Sequence, residues 1–133
     1  MKIGELAAMS DTAASTVRFY ERNGLLPAPQ RQPNGYRSYQ PEVADRIRFI
    51  RRAQGAGLSL RDISDVLAIR DVGQQPCDHV RTLLVERLAE VRAQLAELTE
   101  LQSSLEALVD RADQPQVRKQ RAQVCPILEA NAH

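Results

Sequence analysis

At 133 residues the chain has room for one compact core plus an appendage, about 100–200 residues being usual for a domain. Its 43% apolar content comes mainly from Leu, Ile, Val and Ala, with 4% aromatics and no Trp, a mixture that favours helices and points to a mainly α fold. The formal net charge of +1 hides an asymmetry: Met1 to Arg70 carries 11 Lys+Arg against 7 Asp+Glu, and the remainder 7 against 10, so the front half is the candidate for binding a polyanion.

No run of about 18 apolar residues could span a bilayer, and the residues after Met1 lack the apolar core of a signal peptide. A cytoplasmic protein with no membrane partner is expected. In a reducing compartment Cys77 and Cys125 are free thiols or metal ligands rather than a disulfide.

Ile3 to Met9 is helix-prone, and Ser10, Asp11 and Thr12 offer oxygens to cap a second helix over about Ala13 to Asn23, stopped by Gly24. Pro27, Pro29 and Pro33 followed by Asn34-Gly35 predict a hairpin, or wing, with Asn34-Gly35 at or near its tip. Pro41 suits the start of a third helix whose apolar face is Val43, Ile47 and Ile50, with Arg46, Arg48, Arg51 and Arg52 on the rest, ended by Gly55 and Gly57. Ser59-Leu60-Arg61-Asp62 reads as a capping box before a fourth helix buried through Ile63, Val66 and Leu67. Residues 1–70 thus form a winged helix-turn-helix domain, and 71–77 a linker.

Between Asp78 and Arg111 there is neither Gly nor Pro. Leu84, Leu88, Val91, Leu95, Leu98, Gln102, Leu105 and Val109 recur at alternating spacings of four and three, a heptad seam with one polar break. A helix over 78–111 would be roughly 50 Å long, more than the front domain covers. It either folds back on its own domain or pairs with a second copy, and the narrow seam of period 3.5 favours pairing as a homodimer. A C-terminal loop and short helix over 112–133, the candidate effector segment, follow.

A winged helix-turn-helix places its second helix in the major groove of double-stranded DNA. On that helix Ser15, Thr16, Arg18 and Tyr20 are able to face DNA, Arg18 towards a base edge or phosphate and Tyr20 towards a phosphate. The wing adds Arg31, Tyr36 and Arg37, suited to backbone contact, while Tyr39 either contacts DNA or packs the hairpin. No nucleophile, base and orienting group cluster, so an enzyme is not expected.

Ile3-Gly4-Glu5-Leu6-Ala7, Thr16-Val17-Arg18-Phe19-Tyr20-Glu21, Gly24-Leu25-Leu26-Pro27, Asn34-Gly35-Tyr36-Arg37 and Gly57-Leu58-Ser59-Leu60 stand in the order and spacing of the MerR family, which the chain closely resembles over its front half. The resemblance implies an antiparallel dimer through the long helix and an operator inside a promoter with an overlong spacer. It further implies that an effector makes the dimer untwist and bend that DNA for RNA polymerase, a deformation costing on the order of 1–10 kcal/mol. The DNA contacts implied are Thr16, Arg18, Tyr20, Arg31, Tyr36, Arg37 and the Gly55 to Ser59 turn.

An antiparallel dimer would bring Cys77 of one chain to Cys125 of the other, a pair of thiolates suited to a soft or borderline divalent metal. Pro76-Cys77-Asp78-His79-Val80 and Cys125-Pro126-Ile127-Leu128-Glu129 resemble segments of the heavy-metal branch, which answers zinc, cadmium, lead or mercury. Cys77 also argues against the monovalent-copper branch, which typically lacks it. A departure is the missing third cysteine near Ala112-Asp113, followed by a longer, basic stretch over 113–124. Mercury would accept two thiolates, whereas zinc or cadmium would need His79, Asp78, Asp113 or water. Asp78 reads better as a helix cap, and His133 is expected to be disordered. The competing readings are two buried cysteines, or a redox or electrophile sensor of the same family using a reactive thiolate. A small-molecule pocket would need more than the 22 residues after Arg111.

Overall fold

The computed structural model describes residues 1–129, so the expectation for His133 lies outside the described residues. It is mainly helical: α1 (Ile3–Met9), α2 (Ala14–Arg22), β1 (Gln30–Arg31), β2 (Arg37–Ser38), α3 (Glu42–Gly55), α4 (Leu60–Asp71), α5 (Cys77–Ala112) and α6 (Pro115–Arg118). The chain divides into two compact units, Met1–Arg87 and a second beginning at Leu88.

The first unit is built around one core of Leu6, Val17, Leu25, Ile47, Ile50 and Ile63, with Tyr20 and Tyr39 buried beside them. Each fully buried aliphatic side chain contributes about 1.5–3 kcal/mol. The turn between α1 and α2 departs from the expected cap. Ala13 stands at the N-cap with no side-chain bond, while the buried Ser10 hydroxyl donates backwards to the Leu6 carbonyl at 2.7 Å. With Ser10 spent on the α1 carboxyl end, the chain reverses through Asp11 at φ +52°, and Thr12 N donates to the Ala7 carbonyl. Arg51 donates to the Ser10 and Asp11 carbonyls and Arg48 to Met9 O at 2.9 Å, so two α3 arginines satisfy carbonyls that the end of α1 leaves open.

The wing pairs Gln30 with Ser38 and Arg31 with Arg37. Gly35 N donates to Gln32 O and Gln32 N to Tyr36 O, both at 2.8 Å, and only Gly35 of the loop has positive φ. The loop is therefore the three residues Pro33-Asn34-Gly35 rather than a two-residue Asn-Gly turn, because Pro33 supplies the first turn position and leaves the left-handed one to Gly35. The capping box at Ser59 and Asp62 is present, with both of its bonds formed. Arg46 grips both Asp71 carboxylate oxygens, at 2.7 and 3.1 Å, and donates from Nε to Leu25 O, tying the segment after α2 and the end of α4 to α3. That pair holds the Asp71 carboxyl below the usual carboxylate range.

The long helix starts one residue earlier than expected, with Cys77 in its first turn, because Pro76 O already accepts from Val80 N. Leu83 packs against the core of the first unit. Beyond it, Leu88, Leu95, Leu98, Leu105 and Val109 are exposed, and no residue of α5 is buried. In the second unit α6 is a single turn with Val117 buried, followed by an irregular stretch to Glu129.

Candidate DNA interface and effector segment

Two elements of the first unit carry the polar face expected to meet DNA. On α2, Arg18 and Ser15 are exposed and Thr16 is half-buried, but Tyr20 is only 3% exposed and donates its hydroxyl to Gln54 Oε1 at 2.8 Å. Tyr20 thus lies in the core beneath α2 rather than on its outer face. Its position three residues from Val17 puts it on the buried stripe, and burial raises its pKa, opposed by nearby Arg51. Tyr39, left open between packing and contact, is likewise in the core.

On the wing Arg31 is exposed, Tyr36 is 63% exposed, and Arg37 Nη1 pairs with Glu21 Oε2 of α2 at 3.0 Å. Arg31 and Arg37 are cross-strand partners, so both cations leave the same face of a two-stranded ribbon. Like charges so placed repel, a cost that Glu21 offsets in part and a polyanion would offset further. The Tyr39 pKa is raised by burial first and by Glu21 next, against Arg37, which places its phenol in the same cluster.

A basic residue was missed. Lys2 Nζ lies 5.7 Å from the Tyr36 ring centroid, and Lys2, Arg18, Tyr36 and Arg37 line one open groove of about 820 Å³ with Gly4 and Gly35. The signal in the sequence is faint, a single Lys ahead of α1. What brings it there is a pair of bonds at 2.8 Å, from Tyr39 N to Met1 O and from Met1 N to Tyr39 O. The Gly55 to Ser59 turn turns on Gly57 at φ +87°, against which the Arg87 side chain of α5 is packed.

Of the candidate effector residues, Cys77 and His79 belong to the first unit and Asp113 and Cys125 to the second. Cys77 is exposed in the first turn of α5, His79 is half-buried, and His79 Nε2 is enclosed without a hydrogen-bond partner. Positions i and i+2 do not face each other on a helix, so the two side chains leave different sides of that turn. Asp113 is exposed just past α5. Cys125 is half-buried, its amide donating to Glu129 Oε2 at 3.1 Å. Among the described residues of one chain, no three His, Cys, Asp or Glu side chains come together to hold a metal. The two thiols are donors suited to a soft ion, and an ion needing three or more ligands would have to draw on donors beyond the described residues of one chain. Nor is any described helix long and apolar enough to cross a membrane.

Comparison with known proteins bears on both regions. A family model described as MerR HTH family regulatory protein matches residues 1–68, and one described as MerR, DNA binding matches residues 44–108. The chain is 38% identical over 110 residues to the HTH-type transcriptional regulator ZntR of Escherichia coli (strain K12), spanning 82% of this chain and 78% of that protein. It is 30% identical over 128 residues to the mercuric resistance operon regulatory protein of Bacillus cereus, spanning 96% and 94%. Among solved structures, the transcription regulator PbrR691 from Ralstonia metallidurans CH34 in complex with lead(II) matches with a TM-score of 0.77 at 34% identity, covering 96% of each chain.

Proposed function

Because the chain belongs to the MerR family of helix-turn-helix regulatory proteins, we propose that it is a homodimeric transcription regulator that holds a promoter operator and activates transcription by distorting it when a divalent heavy or transition metal binds. The observation that carries the reading is the exposed seam of α5: Leu88, Leu95, Leu98, Leu105 and Val109 form an apolar stripe left exposed among the described residues. Antiparallel pairing of two such helices buries the stripe and sets the start of each against the end of the other. Cys77 and Cys125 then share one site across the dimer.

Thr16, Arg18, Arg31, Tyr36 and Arg37 hold the DNA, joined by Lys2, while Tyr20 acts from beneath by fixing α2 on α3 through Gln54. Arg18 is the residue placed to read a base edge, and the wing cations set position on the phosphates. Cys77 and Cys125 are the effector ligands. A bound soft ion would supply a cross-link between subunits, and the relatives whose names or structures carry mercury and lead support a thiophilic cation of the zinc, cadmium, lead and mercury class. His79, with its ring nitrogen enclosed, and Asp113, exposed past the helix, are the further donors for an ion needing more than two thiolates. RNA polymerase is the partner that reads the altered promoter, and residues 1–70, 78–111 and 112–133 divide the work into operator binding, pairing and sensing.

Transcription in vitro from the cognate promoter across a panel of metals tests this. Cys125→Ser leaves operator affinity within about twofold and abolishes metal-stimulated transcription. A variant that still responds fully removes Cys125 from the site. Oxidant-dependent transcription by protein that retains no metal on dialysis replaces the metal reading with thiol sensing.

A further inference from the structure

The turn that carries Cys125 is tied down from both sides. Arg111, in the last turn of α5, donates from Nε to the Ile127 carbonyl at 3.2 Å and from Nη2 to the Pro126 carbonyl at 2.9 Å and Gln120 Oε1 at 3.3 Å. The Glu129 carboxylate accepts from Val124 N at 3.0 and 3.2 Å and from Cys125 N at 3.1 Å, while Glu129 N donates back to the Cys125 carbonyl at 3.1 Å. No helix or strand runs through 119–129, so these bonds, rather than a backbone ladder, give the stretch its shape. They are also of the stronger kind. A guanidinium forks onto successive carbonyls, and a carboxylate accepts two amides, each bond carrying one ionised partner.

We propose that Arg111 is a positioning residue for Cys125: together with Glu129 it holds the 124–129 turn closed before any effector arrives. Ordering a loose loop costs conformational entropy at the moment of binding, and a loop already fixed adds none of that cost. Arg111 therefore sets how little metal is needed to engage Cys125. The inference rests on the reading of Cys125 as a metal ligand, but the clamp itself is testable without metal.

Arg111→Ala and Arg111→Lys are compared with the wild type as the full-length, metal-free protein, after confirming equal helicity and oligomeric mass. The lysine keeps the charge but has no planar fork to hold Pro126, Ile127 and Gln120 together. Amide hydrogen exchange at Val124, Cys125 and Glu129 accelerates about ten- to a hundredfold in Arg111→Ala, and Arg111→Lys rescues little of it. Alkylation of Cys125 by iodoacetamide accelerates alongside, while that of Cys77 is unchanged. Titration with cadmium(II) against a competing chelator gives the same thiolate charge-transfer band at saturation, at about tenfold higher free cadmium.

Free-peptide exchange rates at Val124 and Cys125 in the wild type overturn the clamp. So do exchange and alkylation rates that Arg111→Ala leaves unaltered. Faster exchange in Arg111→Ala, in a protein whose wild type shows no cadmium–thiolate band, overturns the metal reading and keeps the clamp.

Discussion

The two units of the chain solve the problem of stability differently. The first buries Leu6, Val17, Leu25, Ile47, Ile50 and Ile63 within itself and satisfies its helix ends with Ser10, Arg46, Arg48, Arg51 and the Ser59–Asp62 box. The second exposes Leu95, Leu98, Leu105 and Val109 along α5 and buries Val117 beyond it. The first unit is a folded object in its own right. The second leaves its long apolar stripe exposed, and on the proposed reading a second copy covers it.

The sharpest way to break this contrast is a charge in the seam. Leu98→Asp, at a residue 61% exposed in the single chain, is expected to weaken the dimer at least about a hundredfold, since an unpaired buried charge costs about 3–5 kcal/mol. Sedimentation reads the loss, and operator binding falls with it while the thermal transition of the first unit persists. A Leu98→Asp protein that stays dimeric at micromolar concentration moves the interface elsewhere. The converse is Ile47→Ala in the first unit, where a fully buried side chain leaves a cavity. A loss of about 2–5 kcal/mol is expected by denaturant unfolding, with the dimer of the remaining folded protein unaffected.

The same contrast explains what was legible from residues alone. Element positions came through because Gly24, Gly35 and Gly57 mark left-handed turns and Ser59 with Asp62 marks a helix start, all local chemistry. The seam was legible because a helix period repeats over eight positions. Side-chain direction over a single turn was not: Tyr20 is amphipathic, and only the Gln54 partner from α3 decides that it turns inward. Ser10 misled for the same reason, because a hydroxyl between two helices has carbonyls behind it and amides ahead, and burial against α1 chose the carbonyls. The contacts of Lys2 and Arg111 were invisible because their partners, Tyr36 and the carbonyls of Pro126 and Ile127, come from other segments of the chain.

A smaller perturbation tests how α5 supports the first unit. Gly57 sits at φ +87°, and a Cβ there would crowd the Arg87 guanidinium, whose Cζ would lie 3.0 Å away. Gly57→Ala is expected to cost about 1–2 kcal/mol through left-handed backbone alone, with the displaced Arg87 adding to it. In an Arg87→Ala background the cost shrinks towards the backbone value without vanishing. An equal cost in both backgrounds means that Arg87 yields freely and the turn is set by Gly57 itself.

The smallest effect is absent at neutral pH and appears only in alkali. Tyr20 and Tyr39 both have pKa values raised in the folded chain, by burial above all, with Glu21 adding at Tyr39. A raised folded pKa means that the native state favours the neutral phenol, so its stabilisation is fully present below the unfolded value of about 10 and is lost as pH rises through the folded value. The denaturation midpoint of the first unit should therefore hold to about pH 10 and fall above it. Tyr39→Phe, which leaves no hydroxyl to ionise beside Glu21, flattens that fall, and the Arg37–Glu21 pair between the wing and α2 survives the change. A midpoint that drops as steeply in Tyr39→Phe would assign the alkaline loss to Tyr20 and its bond to Gln54.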